Sequence, residues 1–430
     1  MRILHIVHQY PPAHTGGTEL YTQAIAKRQA RAGHEVAIFC PEHGIENSNG
    51  PVDEDGVRVY RVGTAKRHRS TVFIQTLITG ELAVAFKEVL SRERPDIVHI
   101  QHLMGLPATL WDELRTAGIP YILTLHDYWY GCANAQLLTN YDESVCQGPD
   151  AKFHNCGRCA LARAGLSGLG IAAPLVAPLF ARRNQLLRPA FEGAATVLAS
   201  TAFVRHIYGE MGFPAENIHL LPLGADVTPE DIAAAQSARY RQKPDGHFRI
   251  GYVGGISRQK GVHCLIAAVN HLPEHTSLLI YGDTTSFPNY VSQLQRLATH
   301  AGIRFMGTVS RTALWPALGM LDVLVVPTLW YETYSLIVQE AFAAGVPVVA
   351  SRIGVLPDIV QDGVNGRLFS PGDIGDLHAT LLDLVERPEQ VELMRGNLPP
   401  VTSMDSHVLK LEAIYRAATT AKPLNQPVYD

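Results

Sequence analysis

The chain has 430 residues, 47% of them hydrophobic, and a formal net charge of −4. Such a length builds two or three domains with sizeable cores. The near-balanced charge excludes a nucleic acid or another strongly charged polymer as the main partner. The first residues, MRILHIVHQY, run straight into a strand-like apolar pattern without the layout of a signal peptide. The longest uncharged stretch, 164–181, is short for a membrane span and is broken by Pro174 and Pro178. A cytoplasmic protein is expected, with room for a peripheral contact at the inner face of a membrane.

In chain order, Arg2 to His8 predicts a strand, Gln9 to Gly17 a Pro/Gly loop, and Thr18 to Ala32 a helix stopped by Gly33. Strands are expected at Glu35–Phe39, Ile97–Gln101, Tyr121–Leu125, Val197–Ser200 and Ile218–Leu223, with a helix at Ala108–Ala117. The second half repeats the alternation, with strands at Phe248–Val253, Ser277–Tyr281, Arg304–Met306, Val323–Val326, Pro347–Ala350 and Gly366–Phe369. Alternating strands and helices predict parallel sheets covered on both faces. The expected fold is therefore α/β, with two Rossmann-like domains facing a central cleft. Residues 1–228 form the first domain, with a cysteine-rich insert at 131–160. A linker follows at 229–246, a second domain at 247–395, and a C-terminal helix and tail at 396–430, packing back toward the first domain. Ligands of such sheets sit at the carboxyl ends of strands, which points to the loops after Val7, Leu125, Val253 and Val326.

The richest stretch is PTLWYETYSLIVQEAFAAGVPVVAS, Pro327 to Ser351. A buried strand ends, a loop presents Glu332, and a helix starts near Tyr334 or Ser335 and stops at Gly345. A helix start offers unpaired amides and the positive end of a dipole to a diphosphate. Thr333, Tyr334, Ser335 and Leu336 can supply those amides. Glu340, leaning back along the helix, can accept from ribose hydroxyls, and Glu332 from hydroxyls of a sugar. Taken singly, each glutamate also fits an ordinary strand–loop–helix with solvated carboxylates.

At these residues the chain resembles the retaining glycosyltransferases of family four, which carry a Glu-x7-Glu motif, an Ala-rich helix and Gly, Pro-Val-Val-Ala-Ser. Glu332 and Glu340 match the two glutamates, and Trp330 and Tyr331 look like a subgroup variant. The resemblance covers most of the chain, strongest over 248–369, and implies the two-domain GT-B fold. YVGGISRQKG, Tyr252 to Gly261, resembles the family's phosphate loop, with Lys260 and Gly261 matching. Gly255 stands where the family arginine usually sits, and Arg258 is the candidate replacement. FMGTV, with Gly307, resembles the loop bordering the nucleobase. In PPAHTGGT, Gly16 and Gly17 match the family's first glycine-rich loop and would admit a donor phosphate or the acceptor. In YILTLHDYWY, His126 stands where the family places a histidine near the transferred sugar. Its alternative is a structural His126–Asp127 pair at a strand end; His8, His14, His99 and His102 are read as structural.

Cys132, Cys146, Cys156 and Cys159 could hold a structural zinc tetrahedrally, and a subgroup of similar glycosyltransferases carries comparable cysteines. Free thiols or one labile disulfide are the alternatives. The following segment, flanked by Arg158, Arg163, Arg182, Arg183 and Arg188, reads either as a membrane-dipping surface or as a buried helical hairpin. Lys66, Arg67, His68 and Arg69 could add attraction to anionic lipid.

The resemblance implies transfer of a sugar from a nucleotide diphosphate-sugar, UDP- or GDP-type, to a glycan, lipid-linked or small-molecule acceptor, with retention and no catalytic metal. Lys260 and Arg258 would stabilise charge on the leaving diphosphate. Other readings are a phosphorylase or epimerase of the same fold, or a catalytically silent nucleotide-sugar binding protein.

Overall fold

The computed structural model describes residues 1–44, 50–64, 69–78, 80–241 and 246–420. The chain divides into two compact units, Met1–Gly224 with Met404–Asp430, and Ala225–Ser403. Both are largely parallel sheets wrapped in helices, the two-unit α/β architecture expected from the sequence.

The first unit holds eight strands: β1 (Arg2–Ile6), β2 (Glu35–His43), β3 (Val52–Glu54), β4 (Val57–Thr64), β5 (Ile97–Ile100), β6 (Tyr121–Leu125), β7 (Thr196–Ala199) and β8 (Ile218–Leu220). Their order is β3-β4-β2-β1-β5-β6-β7-β8. All pairs are parallel except β3 with β4. Ile3, Leu4 and Ile6 in β1 and Ile122 and Leu123 in β6 are fully buried. Strands covered on both faces need such unbroken apolar runs. The β3–β4 hairpin lies outside the expected strands, because β4 alternates Val with Arg58 and Arg61 and reads as an exposed segment.

The second unit holds β9 (Phe248–Val253), β10 (Thr276–Tyr281), β11 (Ile303–Gly307), β12 (Val323–Val326), β13 (Val348–Ser351) and β14 (Gly366–Phe369). They lie in the order β11-β10-β9-β12-β13-β14, all parallel. Strand order reverses between β9 and β12, as it does between β1 and β5 in the first unit. Loops leaving two neighbouring strands in opposite directions open a crevice there.

The unit boundaries differ from those drawn on the sequence. The helix Pro229–Arg241, expected within a linker, belongs to the second unit. Its Ala235 is fully buried, and the helix Arg311–Gly319 approaches so closely that a Cβ on Gly319 would lie 2.1 Å from the Ala235 carbonyl oxygen. Part of that expected linker, 242–245, lies outside the described residues. At the other end, the helix Met404–Thr420 joins the first unit, while 396–403 stay with the second. Asp405 pairs with Arg28 at 2.6 Å, and His407 Nε2 lies 2.6 Å from the Tyr21 hydroxyl. Lys66, Arg67 and His68 lie outside the described residues. Among the described residues no helix is long and apolar enough to cross a membrane.

Candidate donor site and strand-end clusters

The switch point of the second sheet builds its own site. After β9 the chain makes a single 3-10 turn, Arg258–Lys260, and reverses at Gly261, whose φ is +69°. A Cβ at Gly261 would lie 1.8 Å from the Pro327 carbonyl oxygen, so only glycine lets the turn lie against the end of β12. The Gln259 carbonyl then accepts from the Leu329 amide at 2.8 Å and from Thr328 Oγ1 at 3.3 Å. These bonds tie the β9 and β12 loops together and set their side chains face to face.

Glu332 is the centre of that arrangement, with only 8% of its surface exposed. Its Oε1 accepts from Lys260 Nζ at 2.6 Å, Trp330 Nε1 at 3.0 Å and Thr328 Oγ1 at 3.3 Å. The Lys260 ammonium also stands 5.1 Å from the centroid of the Trp330 ring, within cation–π range. Three donors on one oxygen compensate the cost of burying the carboxylate. Two residues assigned to separate tasks on the sequence, Lys260 and Glu332, therefore touch.

The following helix is Leu336–Ala343, one to two residues later than expected. Ser335 is its N-cap in left-handed backbone, φ +59°, and its side chain makes no capping hydrogen bond. Leu336 is thus the first helical residue, while Thr333 and Tyr334 lie in the loop before it. Burial pushes the Tyr334 hydroxyl up to about 12. Glu340 departs from its expected role. Its Oε1 is gripped by Arg311 Nη1, and Arg311 Nη2 reaches the Asp226 carbonyl. Burial raises the Glu340 carboxyl, against the pull of Arg311. One acceptor atom expected to be open to a ribose is therefore occupied by a cation the sequence did not single out.

Arg258 shares the 3-10 turn with Lys260. A Cβ at Gly255 would meet nothing within 4 Å, so open space stands at the position where the resemblance leads one to expect an arginine. Gly307 ends β11 with φ +74° and likewise has nothing within 4 Å of a built Cβ.

In the first unit, Gly16 caps the helix that Gly17 begins. A Cβ on Gly16 would lie 2.5 Å from Glu19 Oε2. Glu19 is buried, burial raises its carboxyl, and its Oε1 lies 3.4 Å from His8 Nε2.

His126 follows β6 and belongs to a buried network centred on Gln101. Gln101 Oε1 accepts from His126 Nε2 at 2.8 Å, while Gln101 Nε2 donates to His5 Nδ1 at 3.2 Å and His99 Nδ1 at 2.9 Å. His5 Nε2 gives its proton to Gln29 Oε1 at 2.8 Å, and His99 Nε2 to Thr124 Oγ1 at 2.7 Å. One neutral tautomer, protonated on Nε2, satisfies all three rings. Burial enforces that neutrality: it pulls His126 down to about 3, His5 to about 4, and His99 well below its ordinary value. His102 is separate. It holds Asp127 Oδ2 at 2.9 Å and accepts from the Met104 amide at 3.0 Å. Glutamine carries no chemical signature in a sequence, so Gln101 was missed; its place on the strand end beside three histidines is visible only in the fold.

The four clustered cysteines are free. Cys156 and Cys159 lie on the helix His154–Arg163, and Cys132 and Cys146 on the loop before it. Asn140 Nδ2 donates to Cys159 Sγ at 3.1 Å, and the Gly148 amide to Cys146 Sγ at 3.4 Å. Burial pushes the thiols of Cys146, Cys156 and Cys159 up, and the neighbouring sulfurs add to it at Cys156. Zinc needs thiolates converging at bonding distance. Among the described residues no three His, Cys, Asp or Glu side chains are so placed.

Both units are similar to known proteins. Residues 16–224 match the family described as a glycosyl transferase 4-like domain, and residues 247–387 the family glycosyl transferases group 1. Glycogen synthase of Mycobacterium tuberculosis is 25% identical over 408 residues, 90% of this chain and 87% of that protein. Among solved structures, sucrose-phosphate synthase from Thermosynechococcus elongatus superposes with a TM-score of 0.73 at 19% identity, over 96% of this chain and 98% of the other. Anabaena HepE, in complex with UDP-glucose, superposes with a TM-score of 0.62 at 17% identity, over 97% of each chain.

Proposed function

We infer the reaction from what the chain is, a glycosyltransferase of the GT-B fold with a glycosyl transferase 4-like domain followed by a group 1 domain. We propose that it moves a sugar from a nucleoside diphosphate-sugar to a hydroxyl acceptor with retention of configuration. The observation that carries this reading is the Lys260–Glu332 pair at the sheet's switch point, directly before the uncapped helix Leu336–Ala343. The Anabaena neighbour, solved with UDP-glucose, supports a UDP-hexose as the first donor to test.

In this reading the diphosphate takes Lys260 as its cation and the first amides of the helix as hydrogen-bond donors. Arg258 adds a second cation in place of the family arginine. Glu332, still held by Trp330 and Thr328, accepts from hydroxyls of the transferred sugar. Charge growing on the leaving diphosphate is stabilised by groups already in position, which lowers the barrier without reorganisation. The leaving phosphate oxygen takes the acceptor's proton, so no separate base is required and a catalytic metal is not part of the scheme. His126, whose Nε2–H is committed to Gln101, is assigned to orienting a hydroxyl. Glu340 contributes to the ribose through its partnership with Arg311.

The test is a thermal-shift screen of UDP-, GDP- and ADP-sugars, followed by release of the nucleoside diphosphate from the best donor. Proton NMR of the product reads the anomeric configuration. Wild type is expected to be stabilised by one donor class, and Glu332→Ala to fold but turn over at least a hundredfold more slowly. Unchanged turnover in Glu332→Ala, or an inverted product, would falsify the scheme.

A further inference from the structure

Within the first unit, a cavity of about 800 Å³ lies between the cysteine-bearing loop and the helices His154–Arg163 and Ala173–Glu192. That size suits a small-molecule ligand. Phe73, Leu137, Val176, Phe180, Cys132 and Cys156 are among its walls. Nothing in the proposed donor chemistry uses this space.

Its two ends differ. At the inner end are Met104 and Trp129. The Met104 amide bonds His102, and the Trp129 ring lies 5.4 Å from the His102 ring. That end therefore adjoins the His102–Asp127 pair and His126, the polar cluster at the strand ends. At the outer end is Leu179. Leu179 is 50% exposed, and four and eight residues earlier stand Leu175 at 82% and Ile171 at 94%. Leu175 and Leu179 share one face of the helix Ala173–Glu192, Ile171 precedes it in a 3-10 helix, and large aliphatic side chains facing water there call for a covering surface.

Charge identifies the cover. From Ala151 to Phe191 there is no acidic residue, while Lys152, Arg158, Arg163, Arg182, Arg183 and Arg188 are cationic. Arg183 is committed to the cavity wall, donating to the Tyr130 and Trp129 carbonyls. Arg163 and Arg182 are exposed. Aliphatic groups flanked by cations fit the interface of an anionic bilayer. A water-filled groove would suit neither these aliphatic groups nor the walls behind them.

We propose that the cavity takes the hydrocarbon chain of an amphiphilic, lipid-linked acceptor drawn from an anionic bilayer on which Ile171, Leu175 and Leu179 rest. The polar head then lies toward His102, Asp127 and His126. The identity of the molecule as a sugar acceptor rests on the glycosyltransferase reading; the chain site and the bilayer contact do not.

The experiment titrates the full chain calorimetrically with octyl, decyl and dodecyl maltoside, each below its micelle concentration. It also measures co-sedimentation with phosphatidylglycerol and with phosphatidylcholine vesicles. Affinity is expected to rise about fourfold per added methylene, and binding to favour the anionic vesicles. Ile171→Glu/Leu175→Glu, at exposed positions, should weaken vesicle binding at least tenfold, and Val176→Trp should flatten the chain-length series. The wild-type series needs no variant, so misfolding of Val176→Trp leaves the test intact. A flat wild-type series, vesicle binding indifferent to the double variant, or a double variant that only changes the chain's oligomeric mass would each overturn the proposal. The UDP-glucose thermal shift is read in the same samples. If it persists without chain binding, this inference fails alone; if it is absent while chain binding stands, the donor assignment fails instead.

Discussion

The strand-end clusters of the two units treat ionisable groups in opposite ways. In the second, Lys260 with Glu332 and Arg311 with Glu340 are opposite charges in contact. In the first, His5, His99 and His126 are joined through Gln101 as neutral rings, and burial holds them so. A charged pair can exchange a partner for a phosphate. A neutral network can only donate or accept in a fixed direction. The contrast matches a division between gripping a charged leaving group and orienting uncharged hydroxyls.

The sharpest way to break that comparison is Lys260→Met. It should lower kcat about a hundred- to a thousandfold, the scale of losing one transition-state donor. Melting temperature should stay within a few degrees, because the lysine is 29% exposed and Glu332 keeps the Trp330 and Thr328 donors. A large loss of stability with little loss of rate would make Lys260 structural and erase the contrast.

Acid should separate the units next. His5 and His407 titrate at about 4 and His126 at about 3 in the fold, against roughly 6.5 in an unfolded chain. Between those values only the unfolded chain binds the proton. Stability is then whole above pH 6.5 and falls as pH drops toward 4, by about 1 kcal/mol per histidine per pH unit. Hydrogen exchange read by mass spectrometry at pH 7.5 and 5.5, corrected for intrinsic rates, should show protection lost in β1, β5 and β6 before β9 and β12. Equal loss in both sheets would dissolve the difference.

The smallest expected effect belongs to Arg311→Met. Without its cation the Glu340 carboxyl loses the pull that opposes the upward push of burial. Donor KM should increase about three- to tenfold with kcat nearly unchanged, the signature of an interaction shared by ground and transition states. A fall in kcat at constant KM would move Arg311 into the chemical step.

How much of this was legible beforehand follows from what each residue had to signal. β1, β6 and β12 are short unbroken apolar runs between helices, and the sequence marks them directly. β4 is not marked, because Arg58 and Arg61 interrupt it and its pairing with β2 is a long-range event. Glu332 and Lys260 stood out through a family-like motif, yet their contact depends on Gly261 lying against Pro327. Arg311 sits 29 residues before Glu340 on another helix, and nothing local advertises the meeting. The C-x2-C spacing suggests a metal; in the fold Asn140 donates to Cys159 Sγ, and both cysteines line a cavity.

The helix Met404–Thr420 has a consequence for biosynthesis. The first unit is interrupted in sequence by the whole of the second, and Tyr415 and His407 supply partners to His99 and Tyr21. During elongation on the ribosome, residues 225–403 emerge as a complete unit while the earlier sheet still lacks its closing helix. The later-born unit is therefore free to mature first, while His99 and Tyr21 await the partners that Tyr415 and His407 bring.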